Sequence, residues 1–126
     1  MFRRSLFLAL VIAVVALFAV ACGGGASTGG TGGGPALNVT VTGTEFKFDP
    51  ANINAAPGQT INLTYVNKGS IRHTWVIPAA NVKLTVEPGQ TTTKTFMAPT
   101  SPGTYPIVCD EAGHKEAGMI GQLVVK

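Results

Sequence analysis

Between Leu37 and Lys126 the chain is cut every few residues by turn-forming pairs: Asp49-Pro50, Pro57-Gly58, Lys68-Gly69, Pro88-Gly89 and Pro102-Gly103. The runs between them do not repeat their apolar residues at helical spacing over a helical length. They show instead the period of two that sends alternate side chains to opposite faces of a strand. Leu37–Thr42 reads LNVTVT, Thr44–Phe48 reads TEFKF and Thr60–Asn67 reads TINLTYVN. Further runs are His73–Ile77, Val82–Val86, Thr91–Met97, Tyr105–Cys109 and Ile120–Lys126. Seven to eight short strands at this spacing predict an all-β domain, a sandwich or barrel with Greek-key connections.

The chain ahead of this domain has a different texture. Arg3 and Arg4 precede an unbroken apolar run of 16 residues, Leu6 to Ala21. A spanning helix needs roughly 20 such residues. A shorter run after a basic start, closing on Ala19-Val20-Ala21, has the layout of an export signal, read as ordinary secretion rather than twin-arginine export. Residues 23–36, GGGASTGGTGGGPA, hold eight of the chain's sixteen glycines and no charge. They cannot bury enough surface to offset their chain entropy, so a flexible tether is expected, with an r.m.s. reach of roughly 20 Å. The expected organisation is a signal over 1–21, a tether over 22–36 and one folded domain over 37–126, the last of about 90 residues and large enough for its own core. Two other readings stand beside it: an uncleaved membrane anchor, and a disulfide between Cys22 and Cys109, the only two cysteines. Without Arg3 and Arg4 the formal charge of +3 falls to about +1. No Lys/Arg cluster is interleaved with aromatics, so nucleic acid is not an expected partner.

The domain has one cysteine, two histidines and two methionines, and three of these five fall together in Cys109-Asp-Glu-Ala-Gly-His114-Lys-Glu-Ala-Gly-Met119. His73 lies on an expected strand 36 residues before Cys109. A thiolate, two imidazoles and a thioether form the ligand set of a type 1 copper site, a His₂Cys plane with a long axial Met. Soft sulfur suits Cu(I) and imidazole suits both oxidation states. Three ligands on one loop and one on a neighbouring strand would put the metal at one end of the sandwich. Taken singly, Cys109 reads equally well as a small buried hydrophobe, the histidines as surface residues and Met119 as core. Their joint occurrence at this spacing favours the site. A dinuclear thiolate-bridged centre would need a second loop cysteine, and a trinuclear oxidase centre many histidines where the chain has two. Oxidase, nitrite reductase and dismutase chemistry, and enzymatic activity generally, are therefore not expected.

The stretch from Gly103 to Val125, with its C-x₄-H-x₄-M spacing, resembles the C-terminal copper loop of cupredoxins, most of all auracyanins and related lipoprotein members. Pro57–Thr64 and Ile71–Ile77 resemble the strand pair that carries the first histidine ligand, so the likeness covers nearly all of residues 37–126. It implies one type 1 copper held by His73, Cys109, His114 and Met119. Cys22, set after small residues, resembles the lipobox cysteine that takes a diacylglycerol, although Ala19 stands where that motif usually has Leu. Two positions depart from family habit. Thr74 follows the first histidine where Asn is common, and Asp110 follows the cysteine where Ser or Thr is common. Thr74 could donate its hydroxyl to Asp110, Arg72 could pair with Asp110, or both could be solvated. Pro106 inside a strand needs an unpaired position. Val108 stands where plant plastocyanins have a surface tyrosine, so no tyrosine route for electrons is expected.

The resemblance implies a monomeric single-electron carrier tethered to an envelope membrane. Redox partners would dock transiently on the His114 face, over Ala112, Gly113, Ala117 and Gly118. The other function considered is copper delivery or storage, which favours exchangeable, Met/His-rich sites.

Overall fold

A computed structural model describes residues 34–126; the expected signal, Cys22 and the first part of the tether lie outside the described residues. Nine strands follow in order: β1 (Leu37–Thr44), β2 (Lys47–Asp49), β3 (Asn52–Ala55), β4 (Thr60–Asn67), β5 (His73–Ile77), β6 (Val82–Val86), β7 (Thr91–Met97), β8 (Gly103–Val108) and β9 (Ile120–Val125). They form two sheets, ordered β2-β1-β4-β7 and β3-β9-β8-β5-β6. β1 runs parallel to β4 and β3 parallel to β9, while the remaining pairs are antiparallel. Among the described residues no helix is long and apolar enough to cross a membrane.

The core lies between the sheets and follows the alternation in the sequence. Along β4, Ile61, Leu63 and Tyr65 are buried while their neighbours are only half-buried. The other sheet contributes Trp75, Ile77, Ile107, Leu123 and Val125. Trp75 crosses the gap to Phe96 on β7, with ring centroids 6.0 Å apart. Each such side chain contributes roughly 1.5–3 kcal/mol through burial.

The all-β sandwich expected from the sequence is observed, with nine strands where seven to eight were anticipated. Both differences from the expected strands arise in one stretch. The run Thr44–Phe48 is not one strand: β1 continues to Thr44, Glu45 and Phe46 form a turn, and β2 folds back with Thr44 opposite Lys47. Neither turn residue is one of the Gly, Asn or Asp types that announce a tight hairpin. β3 went unseen because Asn52-Ile-Asn-Ala55 is short, weakly apolar and enclosed by Pro50 and Pro57. Pro106 does lie within β8, but β8 meets β5 only at the pair Val76–Val108, so the ladder on that side does not run through the proline.

Asn67 takes the last inward position of β4 and is fully buried. A polar side chain there is tolerable only if its hydrogen bonds are made, and they are. Its amide donates to the carbonyls of Ile71 (2.8 Å) and Val86 (2.9 Å), and its Oδ1 accepts from the Gly69 amide at 2.9 Å. The residue thereby fixes the connection that delivers His73 to the end of the sandwich. Asn67→Ala is expected to cost about 2–4 kcal/mol, by orphaning buried backbone groups as well as removing contacts. Equilibrium unfolding in urea measures this; a loss below about 0.5 kcal/mol would show that the segment does not depend on Asn67.

Candidate metal centre

Four sequence-assigned residues meet at one end of the sandwich because of where strands stop. β8 ends at Val108, leaving Cys109 as the first residue of the hairpin, and β9 begins at Ile120, leaving Met119 as its last. The two root residues are joined by a hydrogen bond from the Cys109 amide to the Met119 carbonyl at 3.1 Å. Inside the loop the Met119 amide donates to the His114 carbonyl at 3.0 Å, which folds the chain back so that His114 overlies its own root. Gly118, with φ +101°, supplies a backbone conformation that a residue with a Cβ rarely adopts. Cys109 and Met119 are fully buried, and so is His73, the first residue of β5.

The ring nitrogens Nδ1 of His73 and His114 face one another at 3.1 Å, and Cys109 Sγ lies 3.3 Å from His114 Nδ1. The ligand atoms of His73, Cys109 and His114 all fall within 4.8 Å of one another, and these residues could hold one metal ion. Burial, and then the neighbouring His114, hold His73 below the usual imidazole pKa, which keeps its ring neutral and able to coordinate. The Cys109 thiol is free. The main-chain amide of Thr74 points to its sulfur at 3.3 Å, a donor that stabilises a thiolate.

Thr74 and Asp110 adopt the first of the arrangements considered from the sequence. The Thr74 hydroxyl donates to Asp110 Oδ1 at 2.7 Å and accepts from the Asp110 amide at 2.8 Å. Having one proton, that hydroxyl gives it to the carboxylate, and its 3.5 Å approach to Cys109 Sγ is a contact only. Arg72 does not pair with Asp110: it forms a two-pronged bridge to Glu111 at 2.8 and 3.0 Å. Nor is Asp110 merely solvated, since Lys83 Nζ sits 2.6 Å from its Oδ2. The hydrogen bond from Lys83, then that from Thr74, holds the Asp110 carboxyl below its usual pKa, and Arg72 does the same for Glu111. Lys83 and Asp110 are both well exposed, so the bridge contributes at most about 1 kcal/mol.

Sequence reasoning missed Lys83, Glu111, Glu45 and Phe46. Lys83 was recoverable in principle, because the β5–β6 hairpin sets it opposite Val76, close to the start of the loop. Glu45 and Phe46 gave no signal, since nothing local says that the β1–β2 turn reaches this end. There Phe46 packs edge-on against His114, centroids 5.0 Å apart, and Glu45 Oε1 comes within 3.8 Å of His73 Nε2. Cys22 lies outside the described residues.

A donor set of one thiol and two imidazole nitrogens, buried, with an amide aimed at the sulfur and a fully buried methionine at the loop root, suits copper better than a hard cation. Comparison with known proteins points the same way. The model of the cupredoxin-like domain matches residues 9–125. Auracyanin-A of Chloroflexus aurantiacus is 28% identical over 151 residues, covering 91% of this chain and 93% of that protein. Reduced auracyanin from Roseiflexus castenholzii superposes with a TM-score of 0.65 at 25% identity, over 74% of this chain and 99% of that one. Auracyanin A from Chloroflexus aurantiacus, described as a "blue" copper protein, gives a TM-score of 0.61 at 22% identity, over 72% and 99%, and speaks for the fold alone. With nearly its whole length matched and the donor set in place, this chain belongs to the cupredoxin-like family and has a site for a single type 1 copper.

Proposed function

We propose that the protein is a blue-copper carrier that passes single electrons between redox proteins of the cell envelope. His73, Cys109 and His114 would form the trigonal plane and Met119 the axial position. The observation that carries this reading is the convergence of one sulfur and two Nδ1 atoms in a buried cluster whose loops are already laced together. Copper, when bound, supplies a one-electron couple between Cu(II) and Cu(I). The chain's own residues hold the donors so that little has to move when the charge changes. Thr74 fixes the sulfur, the Met119–His114 hydrogen bond fixes the loop, and the sandwich excludes water from His73 and Cys109.

His114 is the half-buried member of the cluster; exposed Ala112, Gly113, Ala117 and Gly118 share its loop with exposed Lys115 and Glu116, and Phe46 flanks its ring. Small uncharged residues around a portal suit the small, short-lived interfaces of redox encounters. Copper delivery or storage is not favoured, because Cys109, His73 and Met119 are fully buried and exchange needs accessible donors. Both histidines of the chain belong to one cluster, which leaves none for a second catalytic metal and supports a carrier rather than an enzyme. The same reading takes residues 1–21 as an export signal, Cys22 as the lipid anchor, residues 22–36 as the tether and the domain over 37–126 as a monomer.

Three experiments test it. Copper-loaded protein is expected to absorb strongly in the visible through Cys109 sulfur-to-metal charge transfer. Cys109→Ser is expected to abolish that band while leaving far-UV circular dichroism unchanged, because the apolar core and not the metal supplies the burial. A band that survives the substitution refutes the ligand assignment.

Asp110→Asn removes a negative charge near the site. At an effective dielectric near 20 and about 8 Å, one charge is worth ~2 kcal/mol, or ~85 mV for one electron, before screening. The adjoining Lys83 and the solvent reduce this to a few tens of millivolts, so Asp110→Asn is expected to raise the potential by roughly that amount. Lys83→Met is expected to lower it, and the double variant to return close to wild type. Equal potentials in all four proteins would show that the bridge only laces the loops.

Cys22→Ala is expected to release the protein from membranes, or to stall processing, without altering the colour. Wild-type membrane retention with normal processing would refute the anchor.

A further inference from the structure

The second ring nitrogen of His73, turned away from the cluster, is one of three buried side-chain polar atoms among the described residues left without a hydrogen-bond partner, with the Tyr65 hydroxyl and Trp75 Nε1, and it is the one that belongs to an assigned ligand. His73 Nε2 is fully buried and finds no hydrogen-bond partner among the described residues. The carboxylate within 4 Å of it belongs to Glu45, whose Oε1 lies 3.8 Å away. That is too long for a hydrogen bond, yet Glu45 is not there by chance of exposure. Its Oε1 accepts from the Ser70 amide at 2.6 Å and stands 3.2 Å from the Ser70 hydroxyl, so the carboxylate is held against the segment leading into His73. Those bonds, the Ser70 amide foremost, keep the carboxyl below its usual pKa. Gly69 completes the arrangement, because a Cβ on it would sit 2.5 Å from Glu45 Oε1 and 2.9 Å from His73 Nε2. Only a residue without a side chain leaves space for the acid and the imidazole to approach.

We propose that Glu45 is the outer partner of His73: its carboxylate accepts a hydrogen bond from the Nε2–H, fixes the tautomer that turns Nδ1 to the metal, and lowers the reduction potential with its fixed negative charge. The inference rests on the reading of His73 as a copper ligand. Metal-bound histidines generally give their second N–H to a carboxylate, a carbonyl or a water, and that partner sets both ring orientation and ligand basicity. Forming the hydrogen bond requires the carboxylate to close the 3.8 Å separation by about 1 Å, a movement of a side chain whose terminal torsion is broad. Glu45 is thus a positioning residue with an electrostatic effect. It differs from a neutral carbonyl in adding charge, which favours Cu(II) over Cu(I).

The test uses the full chain. In copper-loaded protein, Glu45→Gln keeps a hydrogen-bond acceptor and removes the charge. Its equilibrium with a mediator of fixed potential is expected to move about fivefold toward Cu(I), ~40 mV for one electron, with the visible band kept and a larger shift at low salt. In the metal-free chain, nitrogen-15 NMR is expected to show His73 protonated at Nε2 in the wild type. Glu45→Ala and Gly69→Ala are expected to give a mixture of tautomers. A potential unchanged in Glu45→Gln and a tautomer unchanged in Glu45→Ala, with the wild-type band present, overturn the proposal. If the wild type itself shows no blue band, the copper reading fails instead, and the metal-free tautomer alone decides whether Glu45 and His73 are paired.

Discussion

One residue, Thr74, ties together the two pieces of chain on which the site depends. Its amide holds the Cys109 sulfur and its hydroxyl exchanges hydrogen bonds with Asp110, although the partners are 35 and 36 residues away in sequence. β5 and the β8–β9 hairpin are therefore fastened at the point where the donors must converge. Ordering loops costs conformational entropy. Here the hydrogen bonds of the folded chain meet that cost before any metal arrives, which is what preorganisation means for a binding site. Without the clasp, Cys109 would still leave β8 at the same place, but His73 and His114 would not face each other across a fixed gap.

Most of the fold was legible because it rests on local signals. Strict alternation in Thr60–Asn67 and turn pairs such as Pro57-Gly58 and Pro88-Gly89 set strand boundaries with little help from tertiary context. The exceptions have different causes. The hairpin at Glu45-Phe46 is local, but its turn residues are not the Gly, Asn or Asp types that announce one, whereas the strand Asn52–Ala55 carries a weak β signal and is made by a partner distant in sequence, β9. At the site, the C-x₄-H-x₄-M spacing announced three donors because one loop carries them. Of the long-range contacts, Thr74 with Asp110 was among the arrangements the sequence suggested, but the pairing of the charges was not legible there. Arg72 was considered for Asp110 and went to Glu111, and Lys83 took the place left open.

Charge near the cluster is balanced in pairs rather than absent. Asp110 is met by Lys83 and Glu111 by Arg72, while Glu45 is held by the neutral groups of Ser70. Among the described residues, Glu45 is therefore the one of these three carboxylates with no ion pair to a lysine or arginine. Coulomb energy falls off as the inverse of distance and is damped by solvent. The electrostatics of the site depend less on how many acids surround it than on which of them lacks an opposing charge.

The β1–β2 turn places adjacent residues against different imidazoles, Glu45 against His73 and Phe46 against His114. Phe46 is also among the exposed large apolar side chains. On the proposed function, a redox protein docking on Phe46 would press on the same short turn that carries Glu45. Any change this made in the distance of the carboxylate from His73 would, by thermodynamic reciprocity, make affinity for that partner depend on the oxidation state of the site by the same factor. A two-residue corner would then join recognition and redox poise in a single linked equilibrium.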